Sequence, residues 1–134
     1  MSEKTPVLIH PTQRLDLLEK GRELFNEEQF YEAHEVWERL WKMEMSRDRE
    51  FIQGLIQVAA HFFHIRKGNM SGAQGVALKA VEKLAMRPTQ KAYVALDIEP
   101  LVSALDYNLG VLGEHAGELP PLPGKFLIPK LFPR

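Results

Sequence analysis

The stretch Phe30-Tyr31-Glu32-Ala33-His34-Glu35-Val36-Trp37-Glu38-Arg39-Leu40-Trp41 decides the fold. Phe30, Ala33, Trp37, Leu40 and Trp41 recur at the i, i+3, i+4, i+7 positions of one helical stripe, so the segment reads as an amphipathic helix facing a core. Upstream, Leu15, Leu17, Leu18, Leu24 and Phe25 outline a first helix, starting at about Thr12 as N-cap and ending near Asn26. Downstream, Met43 to Arg47 forms a break. A third helix begins at about Asp48, whose carboxylate suits a helix start, and runs to Lys67 before Gly68-Asn69. Phe51 to Ile65 is apolar nearly all round, which marks this as the central helix.

A fourth, Ala-rich helix spans about Ser71 to Leu84 and stops before Arg87-Pro88. Residues 88–96 carry no decisive pattern. Asp97 caps a fifth helix in which Leu101, Leu105, Leu109 and Leu112 stack at i+4 spacing, and the pattern fades after Gly113. Pro6 and Pro11 make residues 1–11 an N-terminal arm. Pro120, Pro121, Pro123, Pro129 and Pro133 interrupt an apolar tail over 114–134, which is expected to run extended over a helical groove or a neighbouring subunit. The chain thus reads as one all-α domain of about five helices over 1–134, with a helical body at 12–113.

Shifting the chain by forty residues aligns Glu28-Gln29-Phe30-Tyr31-Glu32-Ala33 with Gly68-Asn69-Met70-Ser71-Gly72-Ala73. Gly21 stands twelve residues before Ala33. Small residues at such places let paired helices approach closely, so the architecture resembles two antiparallel tetratricopeptide-like hairpins plus a further helix.

Composition narrows the function. The 134 residues hold 17 Lys+Arg against 18 Asp+Glu, a formal charge of −1, and no Cys. Absent thiols exclude disulfide scaffolds, thiolate zinc sites and Cys nucleophiles, leaving His, Asp and Glu for any metal. No basic excess supports nucleic-acid binding. No apolar run approaches the ~20 residues of a membrane span, and the start MSEKTPVLIHP has no signal-peptide layout, so a cytoplasmic protein is expected.

Polar residues on apolar faces point to a site. Helical projection places His34 on the apolar face of the second helix with Glu38 one turn on and Glu35 at the edge. On the third helix Gln53, Gln57, His61 and His64 gather on one strip. Antiparallel pairing would turn these sets toward each other across one seam and form a polar pocket. In one reading the groups satisfy one another and fix how the helices pair. In another the pocket of a binding module takes a small ligand or protein partner.

A third reading is a hydrolase-like enzyme, either metal-dependent or working by acid–base chemistry through His34 and Glu38. A divalent metal would draw on His34, Glu38 and His64, although the run lacks the second His of a zincin. Trp37, Trp41, Phe62 and Phe63 read as packing, Arg47-Asp48-Arg49-Glu50 as a solvated helix start, and His10 and His115 enter no motif. The apolar tail offers a surface for a homo-oligomer.

The segments Leu24 to Trp41 and Phe51 to Ala60, running on to His64 and Gly68-Asn69, resemble the two motif blocks of a prokaryotic family, domain of unknown function 309. The resemblance implies a small all-helical domain whose motif residues match His34, Glu35, Glu38, Trp41, Gln53, Gln57, His64 and Asn69, with His61 outside the pattern. It transfers no reaction.

Overall fold

The computed structural model describes residues 10–114 and 126–134. The elements are α1 (Pro11–Asn26), α2 (Phe30–Met43), α3 (Arg49–Arg66), α4 (Met70–Leu84), the single-turn α5 (Lys91–Val94), β1 (Leu96–Asp97), α6 (Glu99–Glu114) and β2 (Phe132–Pro133). The chain is mostly helical, and 88–96, which had no decisive pattern, contains a sixth helix. Short links make successive long helices antiparallel neighbours, so α1 packs on α2, α2 on α3 and α3 on α4, with α6 laid against α4.

Local chemistry sets the boundaries. Thr12 is not the first cap: Pro11 takes the first helical position, where its missing N–H costs nothing, and His10 Nδ1 accepts from Thr12 N at 3.1 Å. Gln13 Oε1 returns a bond to His10 N at 3.2 Å. The turns after α1 and α3 are the same device forty residues apart. Glu28 (φ 62°) and Gly68 (φ 74°) both adopt the left-handed conformation. Gln29 N donates to Leu24 O, and Asn69 N to His64 O, each at 2.9 Å.

The core forms around α3, where Phe51, Ile52, Leu55, Val58, Ala59 and Phe62 are fully buried. Phe62 meets Phe25 and Phe30 with ring centroids 6.0 and 5.3 Å away. Small residues bring the helices together. Trp37 packs directly on Gly21, where a Cβ would fall 2.1 Å from Nε1, and that Nε1–H donates to Leu18 O at 3.2 Å. Gly54 likewise accommodates Leu84, and Ala73, Ala77 and Ala80 let α4 close on the core.

Residues 126–134 lie on their own chain. Leu131 is buried; its N–H donates to Asn26 Oδ1 at 2.8 Å, and its carbonyl accepts from Asn26 Nδ2 and Arg22. Phe132–Pro133 then pairs antiparallel with Leu96–Asp97. Pro120, Pro121, Pro123, His115 and the arm before His10 lie outside the described residues.

Gly21→Ala should lower unfolding free energy by about 1–3 kcal/mol through overpacking against Trp37. Gly75→Ala, in α4 with open space around it, should raise stability by up to about 1 kcal/mol. Urea denaturation of both variants checks this, and a Gly21→Ala protein as stable as wild type would contradict the packing described.

Candidate functional site

One ring contact and one shared groove mark the register of the α2–α3 seam. Tyr31 packs on Phe63 with centroids 5.4 Å apart, and Trp41 lines the same depression as Gln53. Interpolating along antiparallel helices sets His34 level with Ala60, and Glu38 level with Ile56 and Gln57.

The candidate residues divide along this seam instead of meeting in one place. His34 is at the shoulder of the buried stripe formed by Phe30, Ala33, Trp37 and Leu40, not in its middle. Its ring stacks beside Tyr31, and its Nε2 is 3.6 Å from Glu38 Oε2, with side-chain exposures of 31% and 41%. His34 Nδ1 is buried without a hydrogen-bond partner. Glu35 is exposed. At the far end of α3, His64 Nδ1 accepts from Asn69 Nδ2 at 3.2 Å, while Asn69 Oδ1 caps α4 by accepting from Gly72 N at 3.0 Å. His64 and Asn69 therefore shape a turn. Gln53 and His64 share a face, but the rise of about 1.5 Å per residue puts roughly 16 Å of axis between them, too far for one small pocket.

His61 leaves the strip altogether. Steps of four residues advance about 40° around a helix, so Gln53, Gln57 and His61 drift toward α4. His61 is fully buried there; its Nδ1–H donates to Ala73 O at 2.8 Å, and its Nε2 accepts from Asn108 Nδ2 at 3.1 Å. Asn108 also donates to Leu127 O and accepts from Leu127 N, tying α3, α4 and α6 to the C-terminal segment. Burial pushes the imidazole down to about 4; the hydrogen bond to Ala73 opposes this and nearby His64 reinforces it. Among the described residues, no group of three or more His, Asp or Glu side chains is placed to hold a metal ion.

Trp41, Gln53 and Gln57 do come together, at the end of the seam nearest the α2–α3 link. They line a groove of about 490 Å³ with Met45, Ser46, Arg47, Arg49, Glu50 and Lys83. Trp41 is thus only partly packing. The Arg49 guanidinium lies over its indole at 4.3 Å, and Arg49 Nε donates to Trp41 O at 3.2 Å. Lys83 pairs with Glu50 across the groove. Gln57 Oε1, like His34 Nδ1, is buried without a partner.

Beneath this groove is a polar junction that the sequence does not reveal. Glu44 is 2% exposed and accepts from Arg14 Nε at 2.7 Å, Arg14 Nη2 at 3.2 Å and Tyr93 Oη at 2.6 Å. Burial alone would push its carboxyl up, but hydrogen bonds from Arg14, Tyr93 and Gln90 outweigh that and hold it down at about 2. Burial and the Glu44 carboxylate together push the Tyr93 phenol up.

Asp48 is not a solvated start to α3, nor does its side chain cap that helix. It is 1% exposed and accepts from Thr89 N at 2.9 Å, Gln90 N at 3.0 Å and Thr89 Oγ1. Asp48 has the composition of an N-cap, so local sequence hides its partner forty residues away. Ser46 joins junction to groove, because its Oγ accepts from Asp48 N and from Gln90 Nε2.

The family described as Domain of unknown function (DUF309) matches residues 18–76. Over those residues the chain is similar to a DUF309 domain. That stretch contains most of α1, all of α2 and α3 and the start of α4, hence both seam faces. Lys83 of the groove lining and Thr89 and Gln90 of the junction lie beyond the DUF309 match, as does the C-terminal segment on Asn26 and Asn108. No curated protein and no solved structure matches the chain.

His61 and Glu44 give acid lability a defined order. His61 has its folded pKa depressed from 6.5 to about 4, so its contribution is complete above pH 6.5 and falls as pH drops toward 4, by up to about 1.4 kcal/mol per pH unit. Glu44, depressed from 4.5 to about 2, loses its contribution below that window. Urea unfolding at pH 7 and pH 4.5 should show the first step in wild type and a shallower one in His61→Gln. Equal pH slopes would refute the assignment.

Proposed function

We propose that this chain is a ligand-binding module whose helical hairpins present the groove between Trp41, Gln53 and Gln57 to a small polar molecule. The hairpin character rests on the repeated turns at Glu28 and Gly68 and on the close approaches at Gly21 and Gly54, which support a tetratricopeptide-like pairing of helices. The binding reading rests on one observation above all: Gln57 Oε1 is a buried acceptor beside the groove with no protein donor. Such an atom costs about 1–3 kcal/mol when left unpaired, and native structures carry few of them. A bound hydroxyl or amine would satisfy it.

At the opposite end of the groove from that acceptor the wall is stiff. Arg49 is clamped on Trp41 and Ser46 is held by two donors, so a ligand would meet a prepared surface with little ordering to do. The acid–base alternative has less behind it, since His34 and Glu38 form a half-exposed pair outside the groove lining.

Nitrogen–proton correlation spectra recorded during a screen of small polar molecules test the reading. Saturable shifts should concentrate on the Trp41 indole N–H and the side-chain amides of Gln53 and Gln57; shifts confined to other surfaces would overturn it. Gln57→Leu should also separate function from stability. It should unfold at higher urea than wild type, because the stranded acceptor is gone, yet lose ligand binding.

A further inference from the structure

Resting on the groove being a ligand site, we infer that its ligand is a small organic oxyanion carrying a hydrogen-bond donor next to the charged group. Charge comes first. Of the lining residues, Arg47, Arg49 and Lys83 are cationic and Glu50 alone is anionic, and Lys83 already pairs with Glu50. The two arginines are left without a carboxylate among the described residues.

Arg49 is built for an anion. Its Nε is used by Trp41 O and its plane is held on the indole, while its two terminal nitrogens have no partner among the described residues. A guanidinium fixed in this way offers a planar fork matched to a carboxylate or phosphate, with little rotamer entropy left to lose. Ser46 adds a directed donor. Its oxygen already accepts from Asp48 N and Gln90 Nε2, so its remaining capacity is to give the hydroxyl hydrogen.

The polarity reverses at the other end of the groove. Gln57 Oε1 can only accept, so whatever reaches it must donate. Arg49 and Gln57 are two helical turns apart on α3, about 12 Å along the axis, and a volume near 490 Å³ is far larger than a bare inorganic ion. A hydroxylated acid or the phosphate monoester of a polyol has this layout: an oxyanion at one end and hydroxyls beyond it.

Equilibrium titration of the full chain, followed by Trp41 fluorescence with Trp41→Phe as the blank, tests this with four probes. These are glycerol 3-phosphate, glycerate, inorganic phosphate and glycerol. Saturable binding of at least one organic anion is expected, about tenfold or more tighter than inorganic phosphate, with glycerol silent. The tighter of the two organic anions tells a phosphate site from a carboxylate site. Arg49→Lys keeps the charge but loses the fork, and should weaken the organic anion about tenfold. Gln57→Leu should reduce it to the level of inorganic phosphate. Glycerol binding as well as the anions, and equally to Arg49→Lys, would overturn the oxyanion class while leaving the groove a ligand site. A response to neither organic anion, or one that sodium chloride reproduces at equal ionic strength, would also overturn the inference; the groove reading is decided separately by the correlation spectra.

Discussion

Glu44 and Asp48 bracket the link between α2 and α3 at 2% and 1% exposure, and a carboxylate withdrawn that far from water must find donors or break the fold. Glu44 finds the Arg14 fork and the Tyr93 hydroxyl; Asp48 finds the Thr89 and Gln90 amides and the Thr89 hydroxyl. Those donors belong to α1 and to the segment that opens α5. A link of a few residues thereby sets where four helices meet. It also supports the groove, because Ser46 between the two acids belongs to both floor and wall.

The contrast between this junction and the seam above it carries the functional argument. In the junction each carboxylate has several donors and the geometry is satisfied. Between two and three turns along the seam, Gln57 Oε1 and His34 Nδ1 are buried with no partner among the described residues. A protein able to saturate two buried acids has the means to saturate an amide or place a leucine there. The proposed ligand site accounts for that difference, since a bound donor would complete the hydrogen bonding at Gln57.

Periodicity made the long helices legible. Phe30, Ala33, Trp37 and Leu40 form the buried stripe of α2, and α3 is the central helix because its apolar residues surround it. The forty-residue offset is visible as two turns with one hydrogen-bond pattern. What sequence could not give was long-range. Asp48 and His61 each have a local appearance, cap and polar strip, that says nothing of partners distant in the chain, Thr89 for the one and Ala73 and Asn108 for the other. Gln53 and Gln57 were legible as a polar strip and Trp41 only through the family resemblance, since its spacing reads as packing; Arg49 was hidden in a run that reads as solvated charge, Ser46 in a helix break and Lys83 in an Ala-rich helix. His34 and Glu38 do pair, but Gln53 and His64 fall far apart because a helical wheel discards rise along the axis.

The most direct test of the constraint is native-state hydrogen exchange at the Thr89 and Gln90 amides. They precede a helix of four residues, and the acceptor for both is the Asp48 carboxylate. Isolated local structure this short would not protect them. Protection comparable to the amides of α3 in wild type, lost on Asp48→Ala, is the predicted result. Exchange of both at open-chain rates in the wild-type protein would show that the buried acids do not organise the junction.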